Sequence, residues 1–309
     1  MKRVVVLLGL LGLLGALAQT CPGQTVKHAL GETCVVGTPK RVVTLEWTYT
    51  EFVLALGMQP VGVADIKNYN EWVHIPPKLA AGVVDVGTRQ QPTLEIISQL
   101  KPDLIIAPSF RSAQIYQRLS SIAPTIALNP YPTDGSSHLE EMRNSFTLVG
   151  QLLGRSREAT RVLQQMDTAF ARAKLQLEQT RRRGETFILA QAFTSNNVGT
   201  VRLFTRNSQA GEIFERIGLR NAWPAGSQQF GFSTVSLEGL VALSTTNFFY
   251  VVQPDDVVFS APSVAPLWNN LSFVKAGRAY PLGARTWLFG GPLSAQTLVE
   301  AILKAMTAH

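Results

Sequence analysis

Hydrophobic positions in this chain fall in short unbroken runs separated by polar, helix-favouring stretches. Arg41 to Leu45, Val61 to Ala64 and Leu104 to Ala107 are brief and rich in β-branched residues, the pattern of strands buried on both faces. Between the first two, Glu51 to Leu56 carries helix formers and stops at Gly57, a natural C-cap. Strand, helix and strand within about 25 residues make a βαβ unit, and such units build parallel sheets. Thr93 to Leu100 reads as a further helix, broken at Lys101-Pro102-Asp103. Thr125 to Leu128 is another strand, and Asn129 to Gly135 is a loop. Thr25 to Ala29 and Thr33 to Val36, around Leu30-Gly31, read as a hairpin.

From His138 to about Arg183 the pattern becomes helical and proline disappears. Val162, Met166, Ala169, Phe170 and Ala173 recur at helical spacing, as on a packed helix face, and Gly150 and Gly154 mark a kink or short break. A second α/β stretch follows. Thr186 to Ala192, Val201 to Phe204 and Phe248 to Val252 read as strands, Ser208 to Ile217 as a helix ending at Gly218, and Ser294 to Met306 as the last helix. The expectation is an α/β protein of two lobes: an N-terminal lobe over 19–137, a helical segment with the connecting helix over 138–183, and a C-terminal lobe over 184–309. A processed length of about 290 residues, long for one core, agrees with two.

The first residues read differently. Lys2 and Arg3 precede an apolar run from Val4 to Leu17, and Ala16-Leu17-Ala18 offers a cleavage site, so residues 1–18 are expected to be an export signal. The run is short of the ~20 residues of a spanning helix. Cys21 raises the possibility of a lipid anchor, but Ala18-Gln19-Thr20 before it lacks the aliphatic and small residues of a lipobox, which favours a free periplasmic protein. Cys21 and Cys34 are the only cysteines, and a disulfide between them is left open because sequence does not show the geometry.

Basic residues number 28 against 21 acidic, a net charge of +7, or +5 without Lys2 and Arg3. Only Arg181-Arg182-Arg183 forms a block, so nucleic-acid binding is not expected. Catalysis is not expected either: there is no Gly-x-Ser-x-Gly, no phosphate loop, and His28, His74, His138 and His309 stand apart from one another. Two cysteines and four dispersed histidines make no metal site.

Candidate chemistry lies on the rim of the predicted parallel sheet, where ligands of such sheets bind. Trp47 follows the first strand and Arg89 follows Val83-Val84-Asp85-Val86. Trp47, Tyr69, Trp72, Phe110, Trp223, Phe230, Phe232, Trp287 and Phe289 fall at predicted strand ends or in loops. They either cap the lobe cores or line a cleft for a bulky small ligand.

Leu45-Glu46-Trp47, Asn68-Tyr69-x-x-Trp72-Val73-x-x-Pro76-Pro77 and Asp85-Val86-Gly87-Thr88-Arg89 together resemble the iron-siderophore substrate-binding proteins of bacterial ABC importers, and among them the ferric-hydroxamate binders. The resemblance runs from about His28 to the C-terminus. It implies two lobes joined by one long helix, and a monomeric receptor that takes a ferric siderophore to a membrane permease. It implies no enzyme activity and no cofactor, since the siderophore supplies the iron ligands. It also implies that Arg89 meets the iron-bound hydroxamate oxygens, a role its forked, permanently charged guanidinium suits; a loop-stabilising salt bridge is the other account of Arg89. Trp47, Trp72 and Trp287 match the family's cleft tryptophans, and Phe230 stands where it has another. A family tyrosine is replaced by Arg111, with Phe110 adjacent, which adds a possible second cation and points toward a carboxylate or citrate siderophore. Glu95 and Glu238 match the acidic residues that dock the permease, although a helix dipole alone favours acids in a first turn. The competing expectation is another cargo of the same fold, haem or cobalamin; haem would require side-chain ligands on the rim.

Overall fold

The computed structural model describes residues 21–195, 198–243 and 246–307; the predicted export signal lies outside them. An antiparallel hairpin, β1 (Gln24–His28) and β2 (Gly31–Val35), opens the described chain. A disulfide joins Cys21 to Cys34 with Cα atoms 5.6 Å apart. The hairpin docks on the first sheet through Ala29 N, which donates to Ala127 O at 3.0 Å, and Thr33 Oγ1, which donates to Thr125 O at 2.7 Å.

That sheet contains β3 (Val42–Thr44), β4 (Gly62–Val63), β5 (Val84–Asp85), β6 (Leu104–Pro108) and β7 (Thr125–Leu128). All are parallel, in the order β5-β4-β3-β6-β7. The chain turns outward on one side of β3 and returns on the other, so the carboxyl ends of β3 and β6 flank a topological switch point. The second sheet is mixed. It holds β8 (Thr186–Ser195), β9 (Val198–Phe204), β10 (Arg220–Asn221), β11 (Phe232–Ser236), β12 (Asn247–Val251) and β13 (Ala279–Pro281), in the order β11-β9-β8-β12-β13 with β10 beside β8. β8, β10, β12 and β13 run parallel; β9 and β11 form an antiparallel edge.

Two helices link the sheets, His138–Leu152 and Ser156–Gln179. Gly154, at φ +64°, makes the left-handed break between them. Gly150 instead serves close approach: a Cβ there would lie 2.6 Å from Ala159 Cβ. The second helix, 24 residues long, spans about 36 Å. It buries Ala159, Val162, Met166, Phe170, Ala173 and Leu177, while Ala169 is only half-buried. Its apolar stripe joins one hydrophobic core that draws on both lobes, from Val42, Phe52 and Ile106 through Phe146 and Met166 to Phe187, Phe214 and Leu298.

Candidate ligand-binding cleft

The helix after β3 begins at Trp47 and runs to Ala55, four residues earlier than its Glu51 to Leu56 pattern predicts. Glu46 is its N-cap and accepts from Trp47 N at 3.0 Å. The Thr44 and Thr50 hydroxyls, 2.8 Å apart, tie the turn to the strand. Every residue of this helix is buried. No polar face therefore marks its period, and Trp47 to Thr50 are weak helix formers.

Successive side chains of this helix do different work. The Glu46 carboxylate, 6% exposed, accepts from Arg89 Nη1 at 2.8 Å through one oxygen and from Arg111 Nη1 through the other. Arg89 also lies 3.6 Å from the Asp65 carboxylate, and its guanidinium sits 3.5 Å above the Trp47 ring. Thr48 donates to Phe289 O at 2.7 Å. Glu51, fully buried, accepts from Leu293 N at 2.8 Å, Ser294 N at 2.9 Å and Ser294 Oγ at 2.6 Å, and so caps the C-terminal helix Pro292–Thr307. Burial pushes its carboxyl above the ordinary value, while those donors pull it down. Gly290 and Gly291 leave it room, since Cβ atoms there would lie 2.5 and 2.9 Å from its oxygens.

Between the sheets lies a cavity of about 660 Å³. Trp47, Trp72 and Arg89 form its wall on the first lobe; Phe193, Arg202 and Trp287 face them from the second. Trp287 stands 5.2 Å from Trp47 and 6.1 Å from Trp72, ring centre to ring centre. An aromatic belt continues through Phe289, Phe232 and Phe230 to Phe110, each ring within 6.3 Å of the next. Trp47 Nε1, Trp287 Nε1 and Arg89 Nε are buried donors without a hydrogen-bond acceptor among the described residues.

The sequence-predicted residues thus divide. Trp47, Trp72, Arg89 and Trp287 border the main cavity. Phe230, 39% exposed, and Phe289 border a smaller neighbouring one, with Phe110 packed 6.0 Å from Phe230. Phe232 is not on a loop; it opens β11. Arg111, expected as an added cation, is neutralised by Glu46, because the short helix Ser109–Ser112 after β6 carries it beside the β3 turn. Glu95 is exposed in the first turn of the helix Leu94–Gln99. Glu238, also exposed, starts a single 3₁₀ turn, Glu238–Ala242, and not an α-helix. Its carboxyl is held below the ordinary value by the Ser236 hydroxyl and by its own backbone N–H.

Sequence reasoning missed Arg202. It lies on β9 opposite Gln191 of β8, and its Nη1 donates to Gln191 Oε1 at 3.2 Å. Its guanidinium is 4.9 Å from the Phe193 ring and 4.7 Å from that of Phe232. Among the described residues no carboxylate lies within 4.0 Å of it. The signal was present: Val201 and Leu203 are core residues, so strand alternation turns Arg202 to the opposite face.

Among the described residues no group of three or more His, Cys, Asp or Glu is placed to hold a metal ion, and no helix is long and apolar enough to cross a membrane. Comparison with known proteins places this geometry in context. A family model described as periplasmic binding protein matches residues 42–286. The Fe(3+)-citrate-binding protein YfmC of Bacillus subtilis (strain 168) is 34% identical over 278 residues, covering 89% of this chain and 83% of that protein. The iron(3+)-hydroxamate-binding protein FhuD of Escherichia coli (strain K12) is 31% identical over 268 residues, 87% of each. Among solved structures, the Fe3+–Desferal-bound siderophore-binding protein FhuD from Vibrio cholerae superposes with a TM-score of 0.77 at 29% identity, covering 87% of this chain and 98% of that one.

Proposed function

The chain belongs to the periplasmic binding protein family, and on that premise we propose that it is the capture component of an importer, binding a ferric siderophore between its lobes and presenting it to a membrane permease. The family consists of transport components, and the chain is not an enzyme. The observation that carries the reading is the cleft wall itself: tryptophans from both lobes and Phe193, with Arg89 on one side and Arg202 on the other, border one cavity. A ferric complex wrapped in oxygen atoms offers acceptors to the guanidinium groups and bulk to the rings. The iron arrives and leaves inside its own chelator, so the receptor needs no cofactor.

Haem and cobalamin are the competing cargoes, and the relatives support neither. None of the described histidines borders the main cavity. His74 is bonded to Glu71 O at 2.8 Å, and His138 is buried against Asn207. The Cys21–Cys34 disulfide supports work outside the cytoplasm and leaves Cys21 without a free thiol for a lipid. The receptor acts as a monomer and meets the permease through exposed Glu95 and Glu238. Titration of tryptophan fluorescence with ferrichrome, ferrioxamine, ferric citrate, haem and cobalamin tests the proposal. The expected result is quenching of the clustered indoles by a ferric siderophore and by neither porphyrinoid. Saturable binding of haem or cobalamin alone would overturn it.

A further inference from the structure

The arginines of the cleft are not equivalent. Arg89 and Arg111 share the Glu46 carboxylate, and Arg89 has Asp65 besides. Two cations against two carboxylates leave that wall close to neutral. Arg202 faces the same cavity, and among the described residues its hydrogen-bond partner is the neutral Gln191 amide. The other carboxylates on the cavity, Glu71, Asp255 and Asp256, form no ion pair with it within 4.0 Å. Asp256 is bonded to Thr194 N and Oγ1 and to Val258 N. Glu71 and Asp255 are exposed, where solvent screens them. The Phe193 and Phe232 rings hold the Arg202 guanidinium in place and displace part of its hydration.

A half-buried, orientationally fixed cation with no carboxylate within 4.0 Å among the described residues favours an anion from the ligand. Resting on the siderophore reading above, we propose that Arg202 is a specificity-determining residue that selects ferric complexes bearing ionised carboxylates over neutral ferric hydroxamates. The anionic selectivity assigned from sequence to Arg111 thus passes to a residue on the opposite lobe. Two forked N–H groups on one carboxylate would complete the hydrogen bonding that Gln191 begins. A neutral complex would leave the charge unmatched and lose that contribution.

The test measures affinities for ferric citrate and for ferrichrome, in the parent and in Arg202→Gln and Arg202→Lys, with thermal melting as the check on folding. The expected result is tighter binding of ferric citrate by the parent. Arg202→Gln should weaken it roughly 10- to 100-fold, the range of a charge-assisted hydrogen bond, and change ferrichrome affinity less than about threefold. Arg202→Lys should fall between, because the charge stays and the fork is lost. If Arg202→Gln does not fold, the parent's salt dependence decides: ferric citrate affinity should fall with ionic strength and ferrichrome affinity should not. A parent that prefers ferrichrome, or a variant that weakens both ligands equally, overturns the role of Arg202 while leaving siderophore capture intact. A parent that binds neither, and instead takes haem or cobalamin, overturns the siderophore reading and this one with it.

Discussion

Glu46 shows how one buried side chain sets the chemistry available around it. Its two oxygens hold two arginines from different strand ends, so each guanidinium is oriented before any ligand arrives. Arg89 retains the buried Nε and its stacking on Trp47. Arg89→Ala should therefore weaken ferric siderophore binding by about 1.5–3 kcal/mol, roughly 10- to 150-fold, read by fluorescence titration. Parental affinity in that variant would remove Arg89 from the site. His138 offers a prediction in pH. It is 4% exposed at the positive end of the helix His138–Leu152, and burial lowers its value from 6.5 to about 4. Between those values the unfolded chain binds more protons, so this contribution to stability falls as pH drops from about 6.5 to about 4. Glu212, bonded to Ser137 beside it and raised to about 7 by burial, works in the opposite sense and loses its contribution as pH climbs through about 7. The difference between parent and His138→Gln isolates the histidine. Urea unfolding should show that difference change by up to about 3 kcal/mol across the acid window and stay flat above it.

At the scale of elements, the helix Trp47–Ala55 joins the cleft to the second lobe. Its first residue is a cleft wall, and one turn later Glu51 caps the C-terminal helix just after the segment carrying Trp287 and Phe289. Glu51→Ala leaves the Leu293 and Ser294 amides buried without an acceptor. It should cost about 3 kcal/mol in urea unfolding, with a red shift of tryptophan emission as the Trp287 segment loosens. Unchanged stability and emission would show that water or another group serves those amides equally well. The first sheet was legible because parallel strands covered on both faces read as continuous apolar runs, as Leu104 to Ala107 does. The helix at Trp47 was not, since burial on all sides removes the amphipathic signature. Phe232–Ser236 escaped as well: an antiparallel edge strand with Ser and Thr interleaved reads as a loop. In the cleft the tryptophans and Arg89 were found by motif. What each arginine faces depends on a carboxylate 43 or 65 residues away, and no local pattern encodes that pairing.

For the whole molecule, capture and delivery are separable. Glu95 and Glu238 are exposed and border none of the cavities described above. Exposed first-turn acids rarely contribute more than ~1 kcal/mol to stability, whereas rim charges tune encounter with a partner. The double variant Glu95→Ala with Glu238→Ala should fold, melt and bind ligand as the parent does, and fail to support iron uptake in cells that depend on it. Full uptake would exclude the docking role; lost ligand binding in the purified variant would reassign these residues to the cleft.

The hydrophobic core that runs unbroken from one lobe to the other has a further consequence for delivery. A receptor with two separate cores can swing on a hinge and advertise its cargo by changing shape. One whose lobes are bridged by a common core, each keeping a further core of its own, is expected to hold nearly the same silhouette full or empty, because close-packed interiors deform little. On the proposed reading, an importer would then meet two look-alikes and would have to sense the cargo by direct touch. Empty copies would contend with full ones for the same dock, so making more receptor than there is iron to carry would slow import.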